Sequence, residues 1–322
     1  THLCHQIRCL RNGIVDILEL RGITKTYGNR VALHPTDLTI KAGEVFSLVG
    51  ESGSGKSTLA MIGSGMLAMD EGCRIFKDVD MDEWIRRDYK SLAGHIGFIF
   101  QNQSAAISHR FTIFEAVAEP LRIHNACKNE EELSARVKEV LQAVHLPTDE
   151  TLLKRYPHQL NQGSLQRVGI ARALALGPSL LIADEPTSSL DPSVQAKVVK
   201  LLLDLQTERG LAMLFITHDI GLARKISDRL GVMSHGRLVE IGPAGLIFNQ
   251  PAHPYTKFLI DSAAGRHIIA RPEPLDKNDM LQGCFFADNC FRRKEVCLQS
   301  IPPVREQGLR LTACHFPLSE YN

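Results

Sequence analysis

The chain lacks three features that would place it in a class at once: a large net charge, a long apolar run and an export signal. Its 37 basic and 36 acidic residues leave a net charge of +1, which argues against general nucleic-acid affinity, because such binding needs a clustered basic surface. No apolar run approaches the ~20 residues of a membrane helix. Arg8, Arg11 and Asp16 lie where a signal peptide has its apolar core, so we expect no export signal.

The composition is that of a globular protein. With 322 residues, 44% hydrophobic and 23% charged, the chain can bury a core in one large or two ordinary domains. Proline and charge increase over residues 266–278, and we place a domain boundary there. Near the first residue, His2, Cys4, His5 and Cys9 form either a metal site or a frayed end.

A glycine-rich segment between an apolar strand and a helix is the most informative stretch. It follows the run 45–49 and fits in full the phosphate-binding pattern of Gly, four residues, Gly, Lys and Ser. Glycines let backbone N–H groups surround a polyphosphate, Lys56 supplies charge for the β- and γ-phosphates, and Ser57 can ligate Mg²⁺. The alternative, a glycine turn without a ligand, is disfavoured by the complete motif and its flanks. The segment reads Gly50, Glu51, Ser52, Gly53, Ser54, Gly55, Lys56 and Ser57, followed by Thr58.

Three further apolar runs are predicted to be buried strands that end in polar side chains. Gln101 follows the first, Asp184 and Glu185 end the second, and His218 follows the third. Ligands bind at the carboxyl edge of a parallel α/β sheet, so we expect these side chains beside Lys56.

Each of these residues has a chemical role at such an edge. Asp184 is placed to hold Mg²⁺, and Glu185 to polarise a water towards the γ-phosphate. Gln101 either points its amide at Mg²⁺ or the water, or only ends a strand. His218 either contacts the γ-phosphate or is a buried structural histidine. Tyr27, before the phosphate loop, either stacks on a base or packs within a strand.

The rest of the pattern indicates helices between these strands. Residues 102–178 are predicted to be mostly helical, and 130–144 carries apolar residues at helical spacing. Asp191 caps another helix, Pro192 opens it and Gly210 ends it. Additional strands are predicted at 17–20, 32–40, 230–233 and 237–241.

Two more motifs complete a family pattern. Leu160 to Arg167 looks like the signature of ABC ATPases, and Ser189 to Asp191 looks like their D-loop. Together with the phosphate loop and the polar strand ends, these motifs make the chain resemble the ATP-binding subunits of ABC transporters over residues 15–262. The run His253 to Thr256, followed by a cysteine-bearing tail, is similar to the oligopeptide, dipeptide and nickel importer branch.

The resemblance implies an α/β fold and a set of site residues. The fold would be a P-loop NTPase core with an N-terminal antiparallel β subdomain, a helical subdomain at about 102–178 and a small C-terminal extension at 263–322. The implied catalytic residues are Glu185 as general base, His218 at the γ-phosphate and Gln101. The implied Mg²⁺ ligands are Ser57, Asp184 and Gln101. The implied ATP contacts are Tyr27 on adenine, residues 50–58 and Asp184, and, across a dimer, Asn161, Gly163 and Asp191.

The resemblance also implies partners. Family members dimerise head to tail, so that each ATP is also touched by the signature of the second ABC ATPase subunit. Hydrolysis resets this dimer and drives two transmembrane permease subunits between inward- and outward-facing states. An extracytoplasmic substrate-binding protein would act indirectly, and the chain would sit peripherally on the cytoplasmic face of the inner membrane.

The signature departs from the family pattern. The family carries Leu-Ser-Gly-Gly, whereas this chain carries Asn161 in place of the serine and Gln162 in place of the first glycine. A missing oxyanion-type donor costs roughly 10²–10³ in rate, and here the loss falls on the partner's ATP. We therefore hypothesise a heterodimer with unequal sites, in which the site of Lys56 is active and the other is slow. Gln103 stands where relatives usually have proline, near the expected contact with the membrane subunit.

The tail holds four cysteines: Cys284, Cys290, Cys297 and Cys314. Without an export signal we expect thiols rather than disulfides. The spacing is wider than the paired CxxC of most zinc knuckles, which weakens zinc. The branch that the chain resembles can hold a [4Fe–4S] cluster through such a set. A cluster, zinc, and free or disulfide-bonded cysteines all stay open.

Three functions fit these patterns. The first is the ATPase of a peptide importer, which uses ATP and Mg²⁺. The second is the same role with nickel or a nickel chelate as cargo, and the third is an ABC ATPase outside transport that acts on protein or nucleic acid. The neutral charge and the single cassette disfavour the third, and we expect no nucleic-acid partner.

Overall fold

The computed structural model describes residues 15–266 and 283–318. The cluster of His2, Cys4, His5 and Cys9 and most of the proposed boundary segment lie outside these ranges. Two sheets organise the described residues. The first is antiparallel, in the order β2-β1-β4-β5, as the family resemblance implied for the N-terminal region. Its strands are β1 (Asp16–Tyr27), β2 (Arg30–Lys41), β4 (Glu71–Phe76) and β5 (Val79–Asp80).

The second sheet has the order β11-β12-β10-β9-β3-β8-β7-β6. Neighbouring strands from β9 to β6 run parallel, and the other three strands join in antiparallel fashion. Every residue of β3, β7 and β8 is buried, which explains their continuous apolar runs, because a parallel sheet is covered on both faces. The strands are β3 (Val45–Val49), β6 (Ile96–Ile99), β7 (Leu180–Asp184), β8 (Ala212–Thr217), β9 (Arg229–Ser234), β10 (Arg237–Pro243), β11 (Val304–Gln307) and β12 (Arg310–Ala313).

Helices connect the strands, and several end where the sequence predicts. Residues 102–178 are mostly helical as expected. Asp191 accepts hydrogen bonds from the N–H groups of Ser193 and Val194, and Gly210 ends the same helix in a left-handed conformation. The helices are α1 (Lys56–Gly63), α2 (Met81–His95), α3 (Gln103–Ala106), α4 (Ile113–Ile123), α5 (Glu130–Ala143), α6 (Glu150–Leu153), α7 (Gln162–Leu174), α8 (Pro192–Arg209), α9 (Ile220–Ile226), α10 (Ala244–Asn249), α11 (Pro254–Ala263) and α12 (Val296–Gln299).

Three apolar clusters hold these layers together. The first packs the helices of 102–178 and α8 against one face of the large sheet, around residues such as Val137 and Phe215. The second fills the space between the two sheets, around Leu20 and Phe46. The third joins α9, α10 and α11 to the cysteine-bearing segment through Tyr255 and Phe286. In the ranges that the structure covers, no helix combines the length and apolar character needed to cross a bilayer.

The last described residues continue the large sheet, which the sequence did not predict. Strand β12 pairs with β10, with Thr312 opposite Glu240. Glu240 is 1% exposed and accepts hydrogen bonds from the backbone N–H groups of Ala252 and His253 at 2.8 and 2.9 Å. The Arg310 guanidinium lies 3.8 Å from its carboxylate. Residues 304–313 therefore share a sheet with the core, and the standing of the extension at 263–322 as a separate domain stays a prediction.

Candidate nucleotide site

The phosphate loop joins β3 to α1 and its shape depends on glycine at two positions. A Cβ added at Gly50 would lie 2.0 Å from the carbonyl oxygen of Met233. Gly55 has φ +101°, and a Cβ there would lie 2.7 Å from the carbonyl oxygen of Ala32. Larger residues would collide with fixed backbone at both places. The loop therefore keeps its backbone N–H groups accessible only with these glycines in place.

Lys56 is folded back onto this loop. Its Nζ donates hydrogen bonds to the carbonyl oxygens of Gly50 and Glu51 at 2.8 and 2.7 Å, and contacts Ser54 Oγ at 3.3 Å. The residue is 4% exposed. Burial lowers the pKa of Lys56, and the nearby carboxylates oppose that shift. The ammonium group is thus held at the centre of the loop, where it can meet phosphate oxygens.

Two acidic residues at the end of β7 face the loop in different ways. Asp184 is 8% exposed and its Oδ1 accepts a hydrogen bond from Ser57 Oγ at 3.0 Å. Burial raises the pKa of Asp184, while the Ser57 hydrogen bond acts in the opposite direction. These two oxygen donors suit Mg²⁺, which prefers carboxylate and hydroxyl ligands. Glu185, the next residue, has φ +45°, an uncommon conformation for a residue with a side chain.

Glu185 connects two other strand ends. Its Oε2 accepts a hydrogen bond from Gln101 Nε2 at 3.0 Å, and His218 Nδ1 lies 3.3 Å from the same oxygen. The three residues come from the carboxyl ends of β6, β7 and β8, which are neighbours in the sheet. The structure thus brings Gln101, Glu185 and His218 together beside the phosphate loop, the arrangement that the strand order dictates.

A single cavity of about 610 Å³ joins the loop to the rim of the antiparallel sheet. This volume lies within the range of about 300–1,000 Å³ that is usual for small-molecule sites. Tyr27 stands at the rim with 47% of its surface exposed, so its ring is available to a base. Six lining residues belong to no motif and were not predicted from the sequence. They are Arg30, Val31, Ala32, His34, His235 and Gly236.

The signature residues lie elsewhere. Asn161 caps α7 through a 2.8 Å hydrogen bond from the Ser164 N–H to its Oδ1, and it is exposed. A Cβ at Gly163 would lie 2.8 Å from Val194 Cγ1, so α7 packs closely on the start of α8. Neither residue lines the cavity at Lys56, and neither does Asp191, which caps α8.

Gln103 is held by contacts within the chain. It is 7% exposed and donates a hydrogen bond from Nε2 to the carbonyl oxygen of Phe100 at 2.9 Å. Its side chain packs on Gly169 of α7, where an added Cβ would lie 2.2 Å from Gln103 Oε1. The side chain therefore fastens the segment after β6 to the signature helix.

The four cysteines of the tail surround one small cavity together with His253 and His315, among other residues. They are free thiols, and Cys290, Cys297 and Cys314 are buried. Burial raises the pKa of Cys284 to about 11 and that of Cys314 to about 12. Thiols with such pKa values stay protonated at neutral pH. Within residues 15–266 and 283–318, no group of three or more potential ligands is spaced to hold a metal ion.

Comparison with known sequences finds two family matches. A family described as "ABC transporter" matches residues 33–188, and one described as "Oligopeptide/dipeptide transporter, C-terminal region" matches residues 239–297. A Brucella abortus protein named "Putative peptide import ATP-binding protein" is 40% identical over 89% of this chain and 88% of its own length. A Bacillus subtilis protein named "Putative oligopeptide transport ATP-binding protein YkfD" is 39% identical over 86% of both chains.

Solved structures resemble the described fold as well. CbiO1 of Clostridium perfringens, part of the ABC transporter complex cbiONQ, matches 73% of this chain and 91% of its own, with TM-score 0.64 and 31% identity. The ATP-binding cassette MJ0796, in a dimeric post-hydrolysis state with ADP and phosphate, matches 70% of this chain and 98% of its own, with TM-score 0.64 and 33% identity.

Proposed function

Because this chain belongs to the ABC transporter family and is an ABC-type ATPase, we propose that it powers the import of peptides through a membrane transporter. Two observations support peptides as cargo rather than nickel: the match of residues 239–297 to the oligopeptide/dipeptide transporter region, and the names of the similar proteins. The same match argues against a role outside transport. The observation that best supports ATP hydrolysis is the contact of Gln101 and His218 with Glu185 beside the phosphate loop.

In this proposal the residues act on ATP as follows. Tyr27 stacks on adenine, while the backbone N–H groups of residues 50–58 and the Lys56 side chain bind the phosphates. Ser57 and Asp184, with help from Gln101, would hold Mg²⁺, which neutralises phosphate charge when it is bound. The Glu185 carboxylate accepts the proton of the attacking water.

Gln101 and His218 position this reaction. Both already contact Glu185 Oε2, at 3.0 and 3.3 Å, so small rotations of their side chains would bring them to the water and the γ-phosphate. Backbone N–H groups of the loop and the Lys56 ammonium stabilise the charge that develops on the phosphate oxygens.

The signature residues are proposed to act in a dimer. Asn161 and Gly163 lie outside this chain's own nucleotide cavity, which is expected if they serve the ATP of a head-to-tail partner. Asn161 offers an amide, and Gln162 adds a side chain where the family has glycine. We therefore propose a heterodimer in which the site at Lys56 turns over and the site facing Asn161 is slow.

The proposed assembly has four kinds of component. This chain consists of the cassette, residues 15–262, and the extension, residues 263–322. It pairs with a second ABC ATPase. The pair docks on two transmembrane permease subunits at the cytoplasmic face of the inner membrane, and a substrate-binding protein outside delivers the peptide. Co-expression of the chain with the second ABC ATPase and two permease subunits tests this: we expect one complex in detergent. If the chain purifies without the co-expressed subunits, importer function is contradicted.

For the tail we propose that Cys284, Cys290, Cys297 and Cys314 hold a [4Fe–4S] cluster. The support is chemical: four cysteines surround one cavity, and thiolates are the ligands of such clusters. Because the described side chains are not spaced as a metal site, cluster binding would have to draw the four sulfur atoms closer together. The high pKa values of the free thiols mean that binding must release protons. Iron and sulfide analysis of anaerobically purified protein tests the proposal, with Cys73→Ser as control and Cys290→Ser as the variant expected to lose iron. Metal-free wild-type protein would overturn it, and zinc alone would indicate a zinc site.

A further inference from the structure

The His253 to Thr256 motif has no part in the reaction proposed above, yet it reaches the phosphate loop. Tyr255, in the first turn of α11, is 2% exposed and is among the largest fully buried side chains. Its hydroxyl oxygen accepts a hydrogen bond of 3.4 Å from the backbone N–H of Glu51, 204 residues away in the sequence.

Both backbone polar groups of Glu51, the N–H and the carbonyl oxygen, form hydrogen bonds. Its N–H donates to Tyr255, and its carbonyl oxygen accepts a hydrogen bond from Lys56 Nζ at 2.7 Å. Movement of this residue would therefore move the ammonium group that meets the phosphates. A second hydrogen bond, 2.9 Å long, joins the loop to the rest of the chain: the Gly236 N–H donates to the Ser54 carbonyl oxygen.

Aromatic rings of the cysteine-bearing segment hold Tyr255 in turn. The ring of Phe286 meets the Tyr255 ring edge to face at a centroid distance of 5.3 Å, and that of Phe285 does so at 6.1 Å. Phe285 also stacks on His253 at 6.1 Å and on His235, a residue of the nucleotide cavity, at 5.2 Å. These contacts connect the segment after Cys284 to the loop.

We propose that Tyr255 is a positioning residue for the phosphate loop, and that Phe285 and Phe286 hold Tyr255 in place so that the cysteine-bearing segment supports tight binding of nucleotide polyphosphates. This inference rests on the ATP site proposed above. Tyr255 and both phenylalanines lie within residues 239–297, outside the match to the general ABC family, so the support belongs to this branch. Burial raises the pKa of Tyr255 to about 12, so the hydroxyl stays protonated over the physiological range.

The test removes only the hydroxyl. Tyr255→Phe in the full-length chain is compared with wild type by calorimetric titration of ATP with Mg²⁺ and of ADP. Loss of one long hydrogen bond predicts a Kd about 2- to 5-fold higher for both nucleotides. Tyr89→Phe, at an exposed tyrosine of α2, is the matched control and should bind as wild type. Phe286→Leu should weaken binding to a similar degree, because the ring that orients Tyr255 is gone.

A second readout separates positioning from stability. In the assembled complex, Tyr255→Phe should raise the KM for ATP without changing kcat, since Glu185 and His218 are untouched. A lower Tm with unchanged Kd and KM would make Tyr255 a core residue only and overturn the inference, as would binding equal to wild type. In either case the proposed ATPase would stand. If wild-type protein fails to bind ATP, the proposed function and this inference both fall.

Discussion

At the scale of single residues, the proposed reaction depends on the carboxylate of Glu185, which two neighbouring side chains contact. Glu185 contacts Gln101 and His218, which follow the adjacent strands, and its backbone has a positive φ. Such strain is commonly found at functional sites. In the proposed mechanism, binding and chemistry are separate, because Lys56 and the loop backbone hold the phosphates while Glu185 accepts the proton of the water.

Glu185→Gln should therefore leave binding intact and stop turnover. Glutamine keeps the shape but cannot accept the proton, so kcat should fall by about 10²–10⁴-fold with little change in the Kd for ATP. Steady-state ATPase assays and equilibrium binding on the assembled complex measure both quantities. Glu208→Gln, on the far part of α8, is the matched control. Turnover that stays at the wild-type rate would remove Glu185 from the role of general base.

The altered signature gives a second prediction at this scale. Asn161→Ser combined with Gln162→Gly restores the family pattern, and serine still caps α7. If the partner's site is slow by roughly 10²–10³, its repair should raise total ATPase about two-fold, because two sites then work instead of one.

The control for that repair is Asn129→Ser. Asn129 caps α5 through a 2.8 Å hydrogen bond, just as Asn161 caps α7, but it lies outside the signature. The Asn129→Ser substitution should leave the ATPase rate unchanged. An unchanged rate in the repaired complex as well would count against unequal sites.

At the scale of elements, the segment between α10 and α11 links stability to pH. His253 caps α11 by accepting a 3.0 Å hydrogen bond from the Tyr255 N–H, and it is 1% exposed. Burial lowers the pKa of His253 from 6.5 to about 3. Between these values the unfolded chain binds a proton that the folded chain does not, so stability falls as pH decreases from about 6.5.

The contribution of His253 is measurable with a variant that does not titrate. His253→Asn keeps a cap acceptor, so its unfolding free energy should lose about 1.4 kcal/mol less per pH unit than wild type between pH 6 and pH 4. Denaturant unfolding at several pH values gives the slopes. His145→Asn, at an exposed histidine, should keep the wild-type slope. Equal slopes for wild type and His253→Asn would mean that His253 is protonated in the folded protein.

Many of the helices and strands could be predicted, because the sequence patterns that specify them are local. The run 45–49, the glycines of the loop and the Asp191-Pro192 cap each specify their own conformation. The charged stretch 78–90 gave no prediction, although the structure has α2 there. That helix packs Met81, Trp84, Ile85 and Leu92 against the core, but these few apolar residues lie among many charged ones, so the stretch looks charged rather than amphipathic.

At the scale of the whole molecule, contacts between distant parts were invisible in the sequence. The site residues with motifs of known role could be named from the sequence. Tyr255 was noticed only as part of a branch motif without a role, and Arg30 and His235 were not singled out, because the contacts of all three are with residues far along the chain. The pairing of β12 with β10 is similar, since a short strand pair shows no periodicity strong enough to identify its neighbour. Its effect is to attach the cysteine-bearing segment to the sheet that carries the ATP site.

The whole assembly should convert ATP hydrolysis at this chain into peptide movement. The most direct measurement is uptake of a labelled peptide into proteoliposomes that contain the complete transporter and its binding protein, with ATP supplied on the side of this chain. The account predicts uptake with wild-type protein and none with Glu185→Gln, although the variant complex assembles and binds ATP. Uptake that proceeds unchanged with Glu185→Gln, or wild-type complex that hydrolyses ATP but moves no peptide, would contradict it.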